Sequence, residues 1–342
     1  MQENLELADT VGFDLTSQSE SMDISRETAL QAASAANIIS KFVAYEQVQT
    51  LSDLRDTLFE PIINGKQGSL RLDASRTGVV VLCPSAVLFT TETVFSMVNE
   101  LIETTQSGSI VLVLCGGIGH STQLMHDAIS RHPRYSRISD RIRMLPEARM
   151  LEAIAEQFWQ LRVDGGTQAS METATRERLT ILVADTSTNC ALNAVNTRKV
   201  LDANGYTSPH SIVVAQDPTM CRRTVAAFEQ VYANKADETP VLRSWPTFVP
   251  KVMLADSTSP ENTGSLTSLL SYDFSDFKDN RKTDLWGMDR LMSLLVGEIP
   301  RMRDDENGYG PRGKGSIVHV DIPQRIEDAW KLLHHLLGQS VR

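Results

Sequence analysis

Ile110-Val111-Leu112-Val113-Leu114-Cys115 runs directly into Gly116-Gly117-Ile118-Gly119-His120-Ser121-Thr122, and this stretch decides the fold. Six apolar residues without a polar alternate predict a strand covered on both faces, as in a parallel sheet packed between helices. The glycines permit a sharp turn and close backbone approach. Ser121 or Thr122 then opens a helix, whose free N–H groups and partial positive charge suit a carboxylate or a phosphate. The same order recurs along the chain. Val79 to Cys83, Ile181 to Ala184 and Ile212 to Ala215 are further apolar runs of strand length. Helical patterns cover Thr93 to Thr105, Ser121 to Arg131, Glu147 to Trp159, Asn189 to Ala203 and Thr219 to Tyr232. Strands alternating with helices predict an α/β sandwich with right-handed crossovers.

Outward from this core, residues 1–77 read as a polar, Ser-rich tail to residue 24 and a helical arm. In the arm Ser25 is the expected cap, and Leu30, Ala33, Ile38 and Phe42 form the apolar stripe. A short helix is expected from Leu51 to Phe59, then a connection through Gly65 and Gly68 to Gly78. Residues 78–255 form the α/β core. Val163 to Glu177 and Asp256 to Asp284 read as surface insertions. Residues 256–342 add a helix around Trp286 to Leu295, a dense polar segment from Gly297 to Gly315, a strand from Ile317 to Val320 and a last helix from Gln324 to Leu337. This tail is expected to pack back on the core, its Gly-Tyr-Gly-Pro-Arg-Gly run forming a structured loop over the sheet edge.

The 342 residues carry a net charge of −10, which argues against broad nucleic-acid binding or adhesion to anionic membrane unless charge is strongly segregated. The longest apolar run is about eight residues, far below the ~20 of a bilayer span, and Met1 to Leu7 lacks the basic start of a secretory signal. Cys83, Cys115, Cys190 and Cys221 are widely spaced, with no CxxC. A cytoplasmic protein without disulfides is expected.

Two more loops share the position of the glycine turn. Asp185-Thr186-Ser187-Thr188-Asn189-Cys190 and Gln216-Asp217-Pro218-Thr219-Met220-Cys221-Arg222-Arg223 each follow a strand and precede a helix. Open α/β sheets bind ligands at this edge. Capping accounts for one residue of the first loop, not three, and Pro218 suits the first helical position of the second. Arg222 and Arg223 oppose the helix dipole, so an anion or an acidic loop is expected beside them. Other chemistries lack support. The glycine spacing is not G-x-G-x-x-G, and there is no P-loop, no G-x-S-x-G elbow and no H-E-x-x-H. Cys190 at a helix start has no identifiable partner histidine. His120, His126 and His132 do not share a helical face, and no metal site is expected.

Together, Gly116-Gly117-Ile118-Gly119-His120-Ser121-Thr122, Glu147-Ala148, Ser187-Thr188-Asn189-Cys190 and Gln216-Asp217-Pro218-Thr219-Met220 with Arg222-Arg223 resemble the YdcF proteins of the SanA/YdcF/ElyC family, a domain of unknown function. The tail from Arg301 to Gly313 with Ile317-Val318-His319-Val320-Asp321 is similar to the YdcF branch, and the resemblance spans about residues 78–334. It implies a Rossmann-like three-layer α/β/α sandwich with its ligand at the C-terminal strand edge, and S-adenosylmethionine as that ligand. Two positions depart from the family. Cys83-Pro84-Ser85-Ala86 stands where relatives tend to have Gly and a polar residue. Leu192 stands where they commonly have an acid three residues past Asn189.

The resulting expectation is a small-molecule binding protein for S-adenosylmethionine or a nucleotide-type ligand, with a transferase or hydrolase as the alternative. Gly116, Gly117, Ile118, Gly119, His120, Ser121, Ser187, Thr188, Asn189, Gln216 and Met220 would line the site. Glu147 and Asp217 would pair with an ammonium or sulfonium, or serve as general base in an enzyme. Arg222, Arg223, Arg301 and Arg312, with Tyr309, would hold an anionic end. Nothing in the sequence specifies a macromolecular partner or an oligomeric state.

Overall fold

The computed structural model describes residues 15–59, 77–105, 108–161, 178–233, 239–255, 265–275 and 284–338, with backbone alone for 15–25. Five strands make one parallel sheet: β1 (Thr77–Leu82), β2 (Ser109–Cys115), β3 (Leu179–Ala184), β4 (Ser211–Ala215) and β5 (Val241–Trp245). Their order is β3-β2-β1-β4-β5. The chain steps outward from β1 through β2 to β3, then crosses to the other side of β1 for β4 and β5. The reversal leaves a crevice between the C-terminal ends of β1 and β4, the usual ligand position in such sheets. The architecture is a Rossmann-like α/β sandwich.

The apolar strands are uniform because both faces are covered, and side chains still alternate between the faces. Val79, Val81 and Cys83 of the first run join one core, while Val80 and Leu82 join the other. The second core is roofed by α2 (Leu51–Phe59), α3 (Leu88–Thr104), α4 (Thr122–Arg131) and α5 (Glu147–Trp159). The first is roofed by α1 (Leu15–Ala44), α6 (Cys190–Ala203), α7 (Cys221–Tyr232), α8 (Met288–Met302) and α9 (Gln324–Leu336). No helix among the described residues is long and apolar enough to cross a membrane.

Several element boundaries differ from the sequence reading. Helix α1 spans Leu15–Ala44, so Ser25 lies within the helix and not at its start, and residues 15–24 are helix rather than tail. Its buried stripe is built from small residues, Ala29, Ala32, Ala33 and Ala36, with Ile39 and Phe42, while Leu30 and Ile38 face outward. Alanines bring the helix axis close to its neighbours. Asn37 completes the contact by exchanging two hydrogen bonds with the backbone of Val252 (2.9 and 2.7 Å). Helix α7 starts at Cys221, so Pro218 lies in the preceding turn. Helix α8 continues through Pro300 to Met302 and takes the first residues of the polar segment. Ile317 to Val320 forms no strand. The N–H groups of Ile317 and Val318 go to Tyr309 O and Ala226 O, not to a ladder.

The connection after Phe59 and the Val163 to Glu177 insertion lie almost wholly outside the described residues. Part of Asp256 to Asp284 is described and is no mere surface loop. A 3-10 turn (Leu266–Leu269) leads into β7 (Leu270–Tyr272), antiparallel to β6 (Val252–Leu254), and Leu270 and Asp284 are buried. The 303–316 loop is tightly folded: a Cβ on Gly308 would lie 1.9 Å from Arg303 O, and one on Gly313 would lie 2.3 Å from Asp305 O.

Candidate functional site

The glycine turn after β2 is bonded to three neighbouring segments. Gly116 has φ +140°, and a Cβ there would meet Pro84 Cγ at 2.4 Å. A Cβ on Gly117 would sit 2.1 Å from Ser187 O. These glycines are required for contact with the loops after β1 and β3, so the close approach expected toward a ligand is here made toward the Pro84 ring and the backbone at Ser187. Gly117 N donates to Ser187 Oγ at 3.2 Å, and Ser187 Oγ donates to Asn193 Oδ1. Glu147 N and Ala148 N donate to Gly117 O and Gly116 O, at 3.1 and 2.8 Å. The start of α5 is thereby fixed under the turn.

Glu147 is the chemical centre of this cluster. Its Oε1 accepts from Ser121 Oγ at 2.7 Å and Thr122 Oγ1 at 3.1 Å. Thr122 Oγ1 in turn accepts from Gly119 N at 2.8 Å. Ser121 occupies the N-cap position of α4 without a capping bond, because its hydroxyl serves Glu147. Burial raises the carboxyl's pKa, and the two hydroxyl bonds partly offset that rise. Among the described residues no cation pairs with it.

The β3–α6 loop forms the facing wall. Asn189 caps α6, its Oδ1 accepting from Leu192 N at 2.9 Å. Ser187 is buried, whereas Thr186, Thr188 and Asn189 are exposed, as are Ile118 and His120 across the turn. Arg149 bonds Asp185 at 2.7 Å and so ties α5 to this loop. Gly116, Gly117, Gly119, Ser121, Glu147, Ser187, Thr188 and Asn189 thus converge on one part of the sheet edge, with Ile118 and His120 at its rim.

Gln216, Asp217 and Met220 lie at the neighbouring crevice between β1 and β4, and that crevice is filled. Asp217 is wholly buried, and four donors saturate its carboxylate. Thr219 N and Oγ1 reach Oδ1 at 2.9 and 2.7 Å. Ser85 Oγ and Trp286 Nε1 reach Oδ2 at 2.6 and 2.7 Å. Gln216 Oε1 accepts from Asp217 N at 2.7 Å, within its own loop, and Met220 is the N-cap residue of α7. A cavity beside Val87, Asp217, Phe248, Tyr272 and Trp286 measures about 10 Å³, room for about one water. The expected roles of Asp217 as base or cation ligand are not open to it in this arrangement, because its lone pairs are occupied. Sequence reasoning does not reach the two side-chain donors from outside this loop: Ser85 carries a signal as the departure after β1, and Trp286 carries none.

The arginines do not converge as expected. Arg223, almost buried, makes a forked pair with Glu298 at 2.6 and 3.1 Å, and Arg301 adds a third bond to the same carboxylate at 2.9 Å. Tyr309 lies over Arg223, 5.6 Å from ring centre to guanidinium carbon. The acidic group expected beside the helix start is therefore Glu298. Arg222 turns away to Phe42 O at 2.7 Å and lies against the Phe42 and Tyr45 rings. Arg312 is exposed and pairs with Asp304 at 3.3 Å.

Two further groups bear on chemistry. Cys83 is pushed well up by its hydrogen bond with Cys115 and by burial, and burial pushes Cys221 up to about 12. Such thiols are inert. Glu92, His132 and Asp284 bring three metal-type ligand atoms within 4.8 Å of one another. His132 Nδ1, however, accepts from the backbone N–H groups of Arg134 and Tyr135, at 3.2 and 3.3 Å. In the neutral ring the proton then sits on Nε2, the nitrogen that faces the carboxylates at 3.7 Å. A metal there would have to displace that proton. No family model matches the chain.

Proposed function

We propose that this chain is a YdcF-like small-molecule binding protein, taking S-adenosylmethionine or a nucleotide-type ligand between the 116–122 and 185–190 loops. The observation that carries the reading is Glu147: a buried carboxylate at the C-terminal strand edge, bonded by hydroxyls and paired with no cation among the described residues. A ligand ammonium or sulfonium is its natural complement, and charge-assisted bonds of this kind contribute about 1.5–3 kcal/mol each. Exposed Thr188 and Asn189 offer polar groups at the rim of the two loops, and exposed Ile118 an apolar one. The filled crevice at Asp217 moves the favoured position from between β1 and β4 to between β2 and β3.

Glu147 also supports the enzymatic reading, a transferase or hydrolase, since a carboxyl with raised proton affinity suits general acid–base work. In that reading Glu147 is the base and Asp217 is not.

Native mass spectrometry of freshly purified protein tests the binding reading, together with thermal melting in S-adenosylmethionine. A ligand at a hundredfold its Kd stabilises by about 2.7 kcal/mol, a readily measured shift. A bare mass and an unmoved melting curve at millimolar ligand would sink this choice of ligand. A panel of phosphatase and methyl-acceptor substrates separates enzyme from binder.

A further inference from the structure

The connection between α4 and α5 concentrates basic charge. Residues 131–143 hold Arg131, Arg134, Arg137, Arg141 and Arg143 against Asp140 alone, a local +4 in a chain of −10, so the remaining residues carry −14. All five arginines are exposed. Tyr135, Ile138 and Ile142 are buried beneath them and fix the direction in which the arginines point. Charge that is averaged away in the composition is concentrated in this one connection.

Little of this charge is neutralised locally. Arg143 pairs with Asp140 at 3.2 Å and Arg141 with Glu156 at 3.7 Å, all four side chains largely exposed. Exposed pairs of this kind are weak and are screened by salt. Arg134 lies 4.9 Å over the Trp159 ring and donates to Phe158 O. Arg131 and Arg137 form no ion pair among the described residues.

Met144 follows directly. It is 83% exposed and has φ +63°, a left-handed conformation that a non-glycine residue rarely adopts. A bare apolar side chain, held at the apex of a turn beside guanidinium groups, fits a surface that is anionic outside and apolar just beneath. A single-stranded nucleic acid would call for exposed aromatic platforms, and the aromatic ring within the segment, Tyr135, is buried.

We propose that residues 131–144 dock on an anionic lipid bilayer, with the arginines among the headgroups and Met144 at the acyl boundary. This is surface attachment, not spanning. It is independent of the ligand reading, although Glu147, three residues past Met144, would place that site beside the membrane.

Sedimentation of the full chain with phosphatidylcholine vesicles, with and without phosphatidylserine, tests the proposal. Binding is expected with phosphatidylserine alone, and it should fall several-fold as salt is raised. The double variant Arg131→Gln/Arg137→Gln should bind about thirty-fold more weakly, at about 1 kcal/mol per basic residue. Met144→Gly should also weaken binding, without loss of melting temperature. No phosphatidylserine-dependent binding at low salt would overturn the proposal. So would unchanged affinity of the double variant, or release from vesicles by single-stranded RNA at equal phosphate. The wild-type lipid and salt series stands as the test even if a variant fails to fold.

Discussion

Trp286 Nε1 donates to Asp217 Oδ2 at 2.7 Å, so an indole from the segment before α8 seals the crevice where the sheet's strand order reverses. With Ser85 on the same oxygen, one buried carboxylate joins the loops after β1 and β4 to the C-terminal part of the chain. Trp286→Phe deletes one of four donors to a buried charge and should cost about 1–3 kcal/mol. Asp217→Ala strands all four donors and should cost more. Urea unfolding of both variants checks this; an unshifted midpoint for Trp286→Phe would remove the indole from the clasp.

Arg223 and Glu298 form a second tie, between α7 and α8, with Glu298 only 1% exposed. Glu298→Leu leaves a guanidinium buried without its counter-charge, at a cost of about 3–5 kcal/mol. The pair replaced together, Arg223→Met with Glu298→Leu, should regain most of that loss, since the buried charge is gone. If the double variant is as unstable as the single one, the damage lies in packing and not in charge.

Gly117→Ala drives a Cβ into Ser187 O, and backbone on both sides cannot give way cheaply. A loss of about 1–3 kcal/mol or more is expected. Gly287, the N-cap of α8, lies at φ −59°, and a Cβ added there would meet nothing within 4 Å. Gly287→Ser should therefore be neutral or slightly stabilising. Parallel thermal melts of the two variants give the comparison, and equal losses would contradict the contact at Gly117.

The glycine turn and the Ser187 loop are legible in the sequence because each follows from local pattern, an apolar run, a turn and a helix start, whereas Glu147 stands out only through the family resemblance and is locally no more than a helix start. The boundaries of α5 are legible too, its helical pattern from Glu147 to Trp159 matching the helix. The roles of Asp217 and the arginines are not. A carboxylate after a strand looks the same whether it faces a ligand or Trp286, whose partner lies 69 residues away in sequence. Likewise Arg223 meets Glu298 across 75 residues. The α1 stripe escapes a hydrophobic pattern because alanines, which let helices approach closely, carry little hydrophobic signal. Ile317 to Val320 has strand composition, but the N–H groups of Ile317 and Val318 find a loop and a helix carbonyl instead of a sheet edge.

Glu147 predicts a pH signature. Its folded pKa lies above its unfolded value because of burial, so the folded state holds the proton more tightly. The group's contribution is fully present below the usual glutamate range and is lost as pH rises through the raised value. Glu147→Gln keeps an oxygen for Ser121 and Thr122 and removes the charge. The variant should melt above the wild type at neutral pH, and the gap should close on acidification. A gap that is constant across this range would mean that the carboxyl's ionisation is not linked to folding.

Isothermal titration of S-adenosylmethionine into the wild type and Glu147→Gln tests the central claim most directly. The account predicts micromolar binding by the wild type and at least tenfold weaker binding by the stable variant, since a charge-assisted bond of about 1.5–3 kcal/mol is lost. Equal affinities in the two proteins, or no heat from the wild type at millimolar ligand, would contradict it.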